Sequence, residues 1–180
     1  LRGEHLAHLT LAEPHAADEG LSLLTALLSK AAAAVDAPWR VEYTARVHRA
    51  LGQLWMYHKS QDRRTVHQNA IMHFERASSL WPTADVDGYL EVAHDHANAL
   101  WTWQSLDAKE RQELADRART VIKTALAHPG AVAYPVRQAL LYRLLGLVEQ
   151  YEKRFNFQTG PARFRRMLSY HEKALELCPK

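Results

Sequence analysis

The stretch "AIMHFERASSLWP", residues 70–82, decides the fold of this chain. Ala70, Phe74 and Ala77 follow one another at four- and three-residue spacing, which places them on one face of a helix. Pro82 cannot continue a helix, so the helix ends before it. Two small residues around one large side chain let a second helix approach closely. The stretch therefore predicts a helix that packs tightly against a neighbour.

The same arrangement recurs along the chain. Pro38, Pro82, Pro129 and Pro179 each follow a helical pattern, at intervals of about 44 to 50 residues. The positions that match Ala70, Phe74 and Ala77 are Ala26, Lys30 and Ala33 before Pro38, Ala118, Ile122 and Ala125 before Pro129, and Met167, His171 and Ala174 before Pro179.

A second phrase belongs to the preceding helices. It is "RALGQLW" at residues 49–55 and "RLLGLVE" at 143–149, and the two Leu-Gly pairs lie two repeats apart, with Ala97 and Leu100 at the intermediate place. Few glycines and long stretches of Ala, Leu, Arg, Glu and Gln with helical spacing predict an all-α protein.

These two phrases resemble the tetratricopeptide repeat, whose paired helices carry L-G-x2-Y and then A-x3-F-x2-A-x4-P. The resemblance implies stacked antiparallel helical hairpins that form a right-handed superhelix, an α-solenoid. We expect residues 1–180 to form one such domain, with approximate repeats at 1–38 (partial), 39–82, 83–129 and 130–180. Because the chain begins at Leu1 within a helical pattern, we expect it to be part of a larger protein.

Composition predicts an intracellular, cytoplasmic location. The single Cys178 cannot form an intramolecular disulfide, and the chain carries no N-x-S/T acceptor. The apolar stretch at residues 20–35 contains Lys30 and is too short to span a bilayer. A net charge of +3 is too mild to indicate nucleic acid by itself.

Enzyme signatures are absent from the sequence, which lacks H-E-x-x-H, G-x-x-x-x-G-K-[ST], G-x-S-x-G and C-x-x-C. We therefore predict no catalytic activity and no cofactor. His94 and His96 are two residues apart on one helix and cannot share an ion, while His5 and His8 could share a face but have no third ligand nearby. We predict no metal site.

The resemblance also implies a concave groove, lined by the first helices of successive hairpins, that binds a peptide or a partner helix. Counting from the Leu-Gly register, the groove positions are Arg46, Arg49, Gln53, Met56, Glu91, His94, Asn98, Trp101, Arg143, Leu147 and Gln150. Guanidinium and amide groups suit backbone carbonyls or carboxylates, and Met and Trp supply apolar burial. Arg49 and Arg143 are the residues on which we place most weight. The alternative is a solvated face with local ion pairs.

A basic edge is the second candidate site. The segments 59–64 and 153–166 lie in or beside the loops inside two hairpins, and such loops emerge on one edge of a solenoid. The basic residues concerned are Lys59, Arg63, Arg64, Arg154, Arg163, Arg165 and Arg166. Phe155, Phe157 and Phe164 are interleaved with the second group, a composition that can contact phosphates and stack on unpaired bases. The alternative is that the phenylalanines anchor a loop to the core.

The sequence thus predicts a non-catalytic scaffold that binds a protein, a peptide or another domain of its parent chain, as an adaptor or sensor segment. The runner-up is RNA binding through the basic edge. Self-association through open terminal repeats is a further expectation, because an uncapped repeat leaves an apolar face open.

Overall fold

The structure is a computed structural model that describes residues 14–34, 36–58, 62–82, 84–103, 107–155 and 161–178, except for the side chains of residues 14–16, 151–155 and 163. Within these residues it is all-helical and contains no strand. The α-helices are α1 (Pro14–Ala33), α2 (Arg40–Tyr57), α3 (Arg63–Leu80), α4 (Val86–Thr102), α5 (Ala108–Leu126), α6 (Pro135–Phe155) and α7 (Pro161–Leu177), and a 3-10 helix spans Pro129–Ala133. The prediction of an all-α protein is confirmed.

The helices form two compact units, Leu1–Asp85 and Val86–Lys180. In the first unit, α1 packs against α2 and α2 against α3. In the second unit, α4 packs against α5, α5 against α6, and α6 against α7, while α4 also contacts α6 and the 3-10 helix contacts α4 and α6. Packing within each unit therefore follows the order of the sequence.

Polar caps and prolines set the helix starts. The Asp62 carboxylate accepts a hydrogen bond from Thr65 N at 3.1 Å and begins α3. Asp107 accepts from Lys109 N at 2.7 Å and Glu110 N at 3.1 Å and begins α5. These bonds satisfy N–H groups that have no partner within the helix. The hydrogen bonds from the side chain and then the backbone of Thr65 lower the pKa of Asp62, and those from the backbone of Glu110 and Lys109 lower the pKa of Asp107.

In two of the hairpins, a glycine on the first helix lies against a ring on the second helix. A Cβ placed on Gly52 in α2 would lie 2.8 Å from the ring of Phe74 in α3, and one on Gly146 in α6 would lie 2.6 Å from the ring of His171 in α7. Phe74 and His171 occupy matching positions of the repeated phrase. The absence of a side chain on each glycine is therefore what allows the ring to lie against the helix backbone.

The small residues of the repeated phrase are buried in three of its four instances. Ala70, Ala77, Ala118 and Ala125 are each 0% exposed, and Ala174 is 8% exposed. These positions hold the second helices of the three later hairpins against their neighbours.

The predicted packing face of the first instance is wrong. Ala26, Lys30 and Ala33 are exposed on α1, whereas Leu24 and Ala31 are 2% and 1% exposed. Leu24 packs with α2 in a cluster with Val47, Ala50, Leu51 and Leu54, and with the half-buried Leu21, Leu27 and Leu28. Burying leucines releases more apolar surface from water than burying alanines, so α1 turns its leucine-rich side to α2.

In the described part of the chain, every helix is either too short or too polar to cross a bilayer.

Candidate functional site

Two adjacent helices of the second unit carry the sequence-predicted groove positions. On α4 they are Glu91, His94, Asn98 and Trp101, all half-buried, and on α6 they are the exposed Arg143 and Gln150 with the half-buried Leu147 between them. The three- and four-residue spacing places each set on one stripe of its helix. Because α4 packs against α6, the second unit brings these two stripes onto neighbouring helices.

An arginine on α6 ties the start of α4 to this surface. Arg137 donates from Nε to Asp87 Oδ1 at 2.7 Å and from Nη2 to Asp87 Oδ2 at 3.3 Å, and it also forms an ion pair with Glu91. The hydrogen bond to Asp87, reinforced by the Glu91 charge, raises the pKa of Arg137. Glu91, predicted to face a partner, is thus held by α6.

Two polar groups on α4 have defined partners. The indole Nε1 of Trp101 donates to Asn98 Oδ1 at 3.1 Å, one turn earlier on the same helix. His94 Nδ1 lies 3.6 Å from Asp95 Oδ1. Because the amide oxygen of Asn98 accepts from Trp101, Asn98 can present its NH2 group as a donor to an acceptor on a ligand. The same bond fixes the half-buried Trp101 ring as an apolar neighbour of that donor.

Arg143 differs from Arg137 and Arg119 of the second unit. It is exposed on α6, and it has no ion pair with any residue that the structure describes. Arg137 and Arg119, by contrast, each bind two carboxylates. Among the described residues, the Arg143 guanidinium therefore has no carboxylate partner.

The first unit carries the remaining groove positions on α2, and Arg46 among them has a structural role. Its guanidinium bonds Glu42 at 2.9 Å and Asp85 at 3.5 Å and lies 5.3 Å from the centre of the Trp81 ring. These contacts hold α2 to the residues that follow α3. They match the alternative reading of local ion pairs.

Arg49, Gln53 and Met56 are half-buried on α2. Arg49 and Gln53 each interact with another residue of the protein. The eleven predicted groove positions are therefore divided, four on α2 in the first unit and seven on α4 and α6 in the second.

The predicted basic edge is described in part. Arg63 and Arg64 are exposed at the start of α3, and Arg165 and Arg166 are exposed on the second turn of α7. Lys59 lies outside the described residues, as do the side chains of Arg154 and Arg163. Phe164 is 44% exposed, so the prediction that it anchors a loop in the core does not hold for this residue.

Sequence reasoning missed the buried charged groups of the second unit. Glu149 is 5% exposed and accepts from Arg119 Nε at 2.9 Å, which joins α6 to α5. His96 is 6% exposed, and neither of its ring nitrogens has a hydrogen-bond partner among the described residues. Burial and the nearby Arg117 lower its pKa to about 4, so it is neutral at pH 7. Only the Glu in "RLLGLVE" signalled a polar residue within an apolar helix.

A histidine pair joins α2 to α3 in the first unit. His48 Nδ1 and His73 Nδ1 are 2.9 Å apart, so one ring donates to the other. Burial lowers the pKa of His73 to about 4 and also lowers that of His48. The described residues contain no cluster of three or more His, Cys, Asp or Glu side chains that could hold a metal ion.

Comparison with protein-family models, with curated proteins and with solved structures found no match to this chain. The candidate site on α4 and α6 is therefore defined by its own geometry and chemistry.

Proposed function

We propose that the chain is a tetratricopeptide-like scaffold and that the surface formed by α4 and α6 binds a peptide or helix of another protein. Two observations support the repeat assignment: Gly52 meets Phe74 and Gly146 meets His171 at matching positions of two hairpins. The role of the scaffold is to hold side chains in place before the partner arrives, which reduces the entropy lost on binding.

The observation that carries the binding proposal is that Arg143 is exposed and has no ion pair among the described residues. An exposed guanidinium with no described ion pair lies on the same stripe of α6 as Leu147 and Gln150. Arginine pairs with carboxylates through two parallel hydrogen bonds, and nearby apolar groups exclude water from such a pair. We expect the partner to place an aspartate, a glutamate or a terminal carboxylate against Arg143.

The chemistry of α4 extends this recognition. The Asn98 NH2 group can donate to a backbone carbonyl of the partner, and the Trp101 ring offers apolar contact beside it. Arg137 is paired with both Asp87 and Glu91, so one end of the surface keeps a negative charge. The surface is therefore selective for an acidic group at the α6 stripe.

A displayed library of random peptides, selected on the whole chain, tests the proposal. Selected peptides are expected to share an acidic residue, and Arg143→Glu should weaken their binding by about tenfold or more. Lys123→Glu makes the same charge change at an exposed position of α5 and is expected to leave binding within about twofold. Equal losses in the two variants would remove Arg143 from the site.

The α2 stripe of the first unit is tested separately. Arg49→Glu in the same peptide assay reports whether that helix also contacts the partner. Retained binding in Arg49→Glu with lost binding in Arg143→Glu would confine the site to the second unit.

A second candidate function is RNA binding, favoured by the exposure of Phe164 beside the exposed Arg165 and Arg166. Aromatic rings stack on unpaired bases and arginines neutralise phosphates. Anisotropy of a labelled single-stranded RNA should then fall steeply with added salt and be lost in Arg165→Gln/Arg166→Gln. An affinity unchanged by that double substitution would exclude this edge.

A further inference from the structure

The C-terminal helix α7 carries an apolar stripe that its own unit leaves largely open. Phe164, Leu168 and Leu175 are 44%, 40% and 74% exposed. They are four and seven residues apart, so they lie on one side of the helix, while His171 between Leu168 and Leu175 lies beside this stripe against Gly146 of α6. Such a stripe is suited to pack along another helix.

The two flanks of this stripe differ. On one flank, Met167 is half-buried and Ala174 is 8% exposed, because this side of α7 faces α6. On the other flank, Arg165 and Glu172 are both exposed. They are seven residues apart, so they lie on the same side of the helix, two turns from each other. A partner helix would therefore meet one positive and one negative charge along this edge.

Arg165 of one α7 can pair with Glu172 of a second α7 when the two helices run in opposite directions. In an antiparallel pair of helices, positions on the same flank face each other, and a two-fold axis near residue 168 would place Arg165 of one copy opposite Glu172 of the other. The same axis brings Phe164 of one stripe to the level of Leu175 of the other. In a parallel pair this flank would lie on opposite sides of the two helices, so Arg165 and Glu172 of the two copies would not meet.

We propose that the chain self-associates as a two-fold dimer through antiparallel pairing of α7 with α7 of a second copy. The Phe164, Leu168 and Leu175 side chains form its apolar centre, and two Arg165–Glu172 ion pairs close its open flank. The dimer surface is separate from the α4–α6 surface, so either proposal can fail without the other.

Sedimentation velocity of the whole chain over a range of concentrations tests the dimer. The wild-type chain is expected to pass from monomer to dimer as its concentration rises. Leu175→Glu places a charge on the most exposed residue of the stripe, so it should leave the fold intact and weaken association by about tenfold or more. The control Lys123→Glu, on α5, should associate as the wild type does.

Charge exchange tests the direction of pairing. Arg165→Glu alone opposes two glutamates and Glu172→Arg alone opposes two arginines, so each variant should associate more weakly than the wild type. An equimolar mixture of the two single variants restores both ion pairs and should form a heterodimer. The double variant Arg165→Glu/Glu172→Arg should recover self-association.

The exposed Cys178 provides a check on orientation. In the antiparallel dimer the two copies of Cys178 are separated by about 29 Å along the helix axes, too far for a disulfide. At protein concentrations low enough that random collisions form few disulfides, oxidation by copper-phenanthroline is therefore expected to yield no disulfide-linked dimer. Efficient cross-linking would indicate parallel pairing and overturn the proposal.

Three other results would overturn it as well. These are a wild-type chain that stays monomeric at the highest concentration, association that Leu175→Glu does not weaken, and a mixture of the charge variants that forms no heterodimer.

Discussion

Replacing Gly52 by alanine should destabilise the first unit although alanine is the better helix former. In a helix interior, alanine is favoured over glycine by about 1 kcal/mol. The new Cβ would lie 2.8 to 2.9 Å from three ring atoms of Phe74, closer than carbon atoms approach. Phe74 is 2% exposed and has no open side into which to move. Overpacking of this kind costs about 1–3 kcal/mol, and with three atoms affected we expect a net loss of about 2 kcal/mol.

Gly20→Ala on α1 is the matched control. Its Cβ would lie 3.1 Å from Leu54 Cδ1, so the buried Leu54 side chain would have to shift by only a few tenths of an ångström. The helix propensity gain should then dominate, and the variant should be as stable as the wild type or more stable by up to about 1 kcal/mol.

Hydrogen exchange in increasing urea, followed by mass spectrometry, measures both effects. Peptides from α2 and α3 should lose protection in Gly52→Ala, while peptides from α4 to α7 serve as an internal reference. Gly52→Ala/Phe74→Leu removes the ring that the Cβ meets, so the double variant should lose less stability than the two single losses added together. The close packing of Gly52 against Phe74 would be refuted if the two losses of stability were additive. It would also be refuted if the Gly52→Ala chain were no less stable than the Gly20→Ala chain.

Three further predictions concern the second unit. Arg119→Met leaves the buried Glu149 carboxylate without its cation, so urea denaturation should show a loss of about 3 kcal/mol. The pKa of His96 is about 4 in the folded protein and about 6.5 in the unfolded chain. The stability that neutral His96 provides is therefore complete above about pH 6.5 and is lost as the pH falls toward 4. Hydrogen exchange in α4 should show this destabilisation in acid, and His96→Leu should make the destabilisation smaller. Asp107→Ala removes the cap of α5 and should lower the midpoint of thermal unfolding at pH 7, with wild-type and variant stabilities converging in acid.

The repeated phrase predicted the helix seams wherever a large side chain marked them. Phe74 and His171 were identified by spacing alone, and each lies against the glycine of the preceding helix. The phrase failed on α1, where Lys30 stands at the place of the ring. Because α1 has no ring at this position to pack against a glycine, its leucines determined its orientation.

The partners of the charged residues were beyond prediction from spacing. Arg46 contacts Trp81 and Asp85 only because α3 returns along α2, and Arg137 meets Asp87 across 50 residues of sequence. A register places a residue on a stripe, but the residue opposite depends on how far each helix is shifted along its neighbour. The sequence therefore placed the predicted residues of α4 and α6 along their helices, whereas the partners of each charge had to come from the structure.

Because each helix packs chiefly against its neighbour in sequence, most contacts join residues that are close along the chain. Such low contact order favours rapid folding, since little loop-closure entropy is lost before a contact forms. During synthesis, α2 and α3 can form their hairpin while α4 is still being translated. The Phe74 ring can then find its place against Gly52 before the more distant apolar helices emerge, which shortens the time for which its surface is open to other nascent chains.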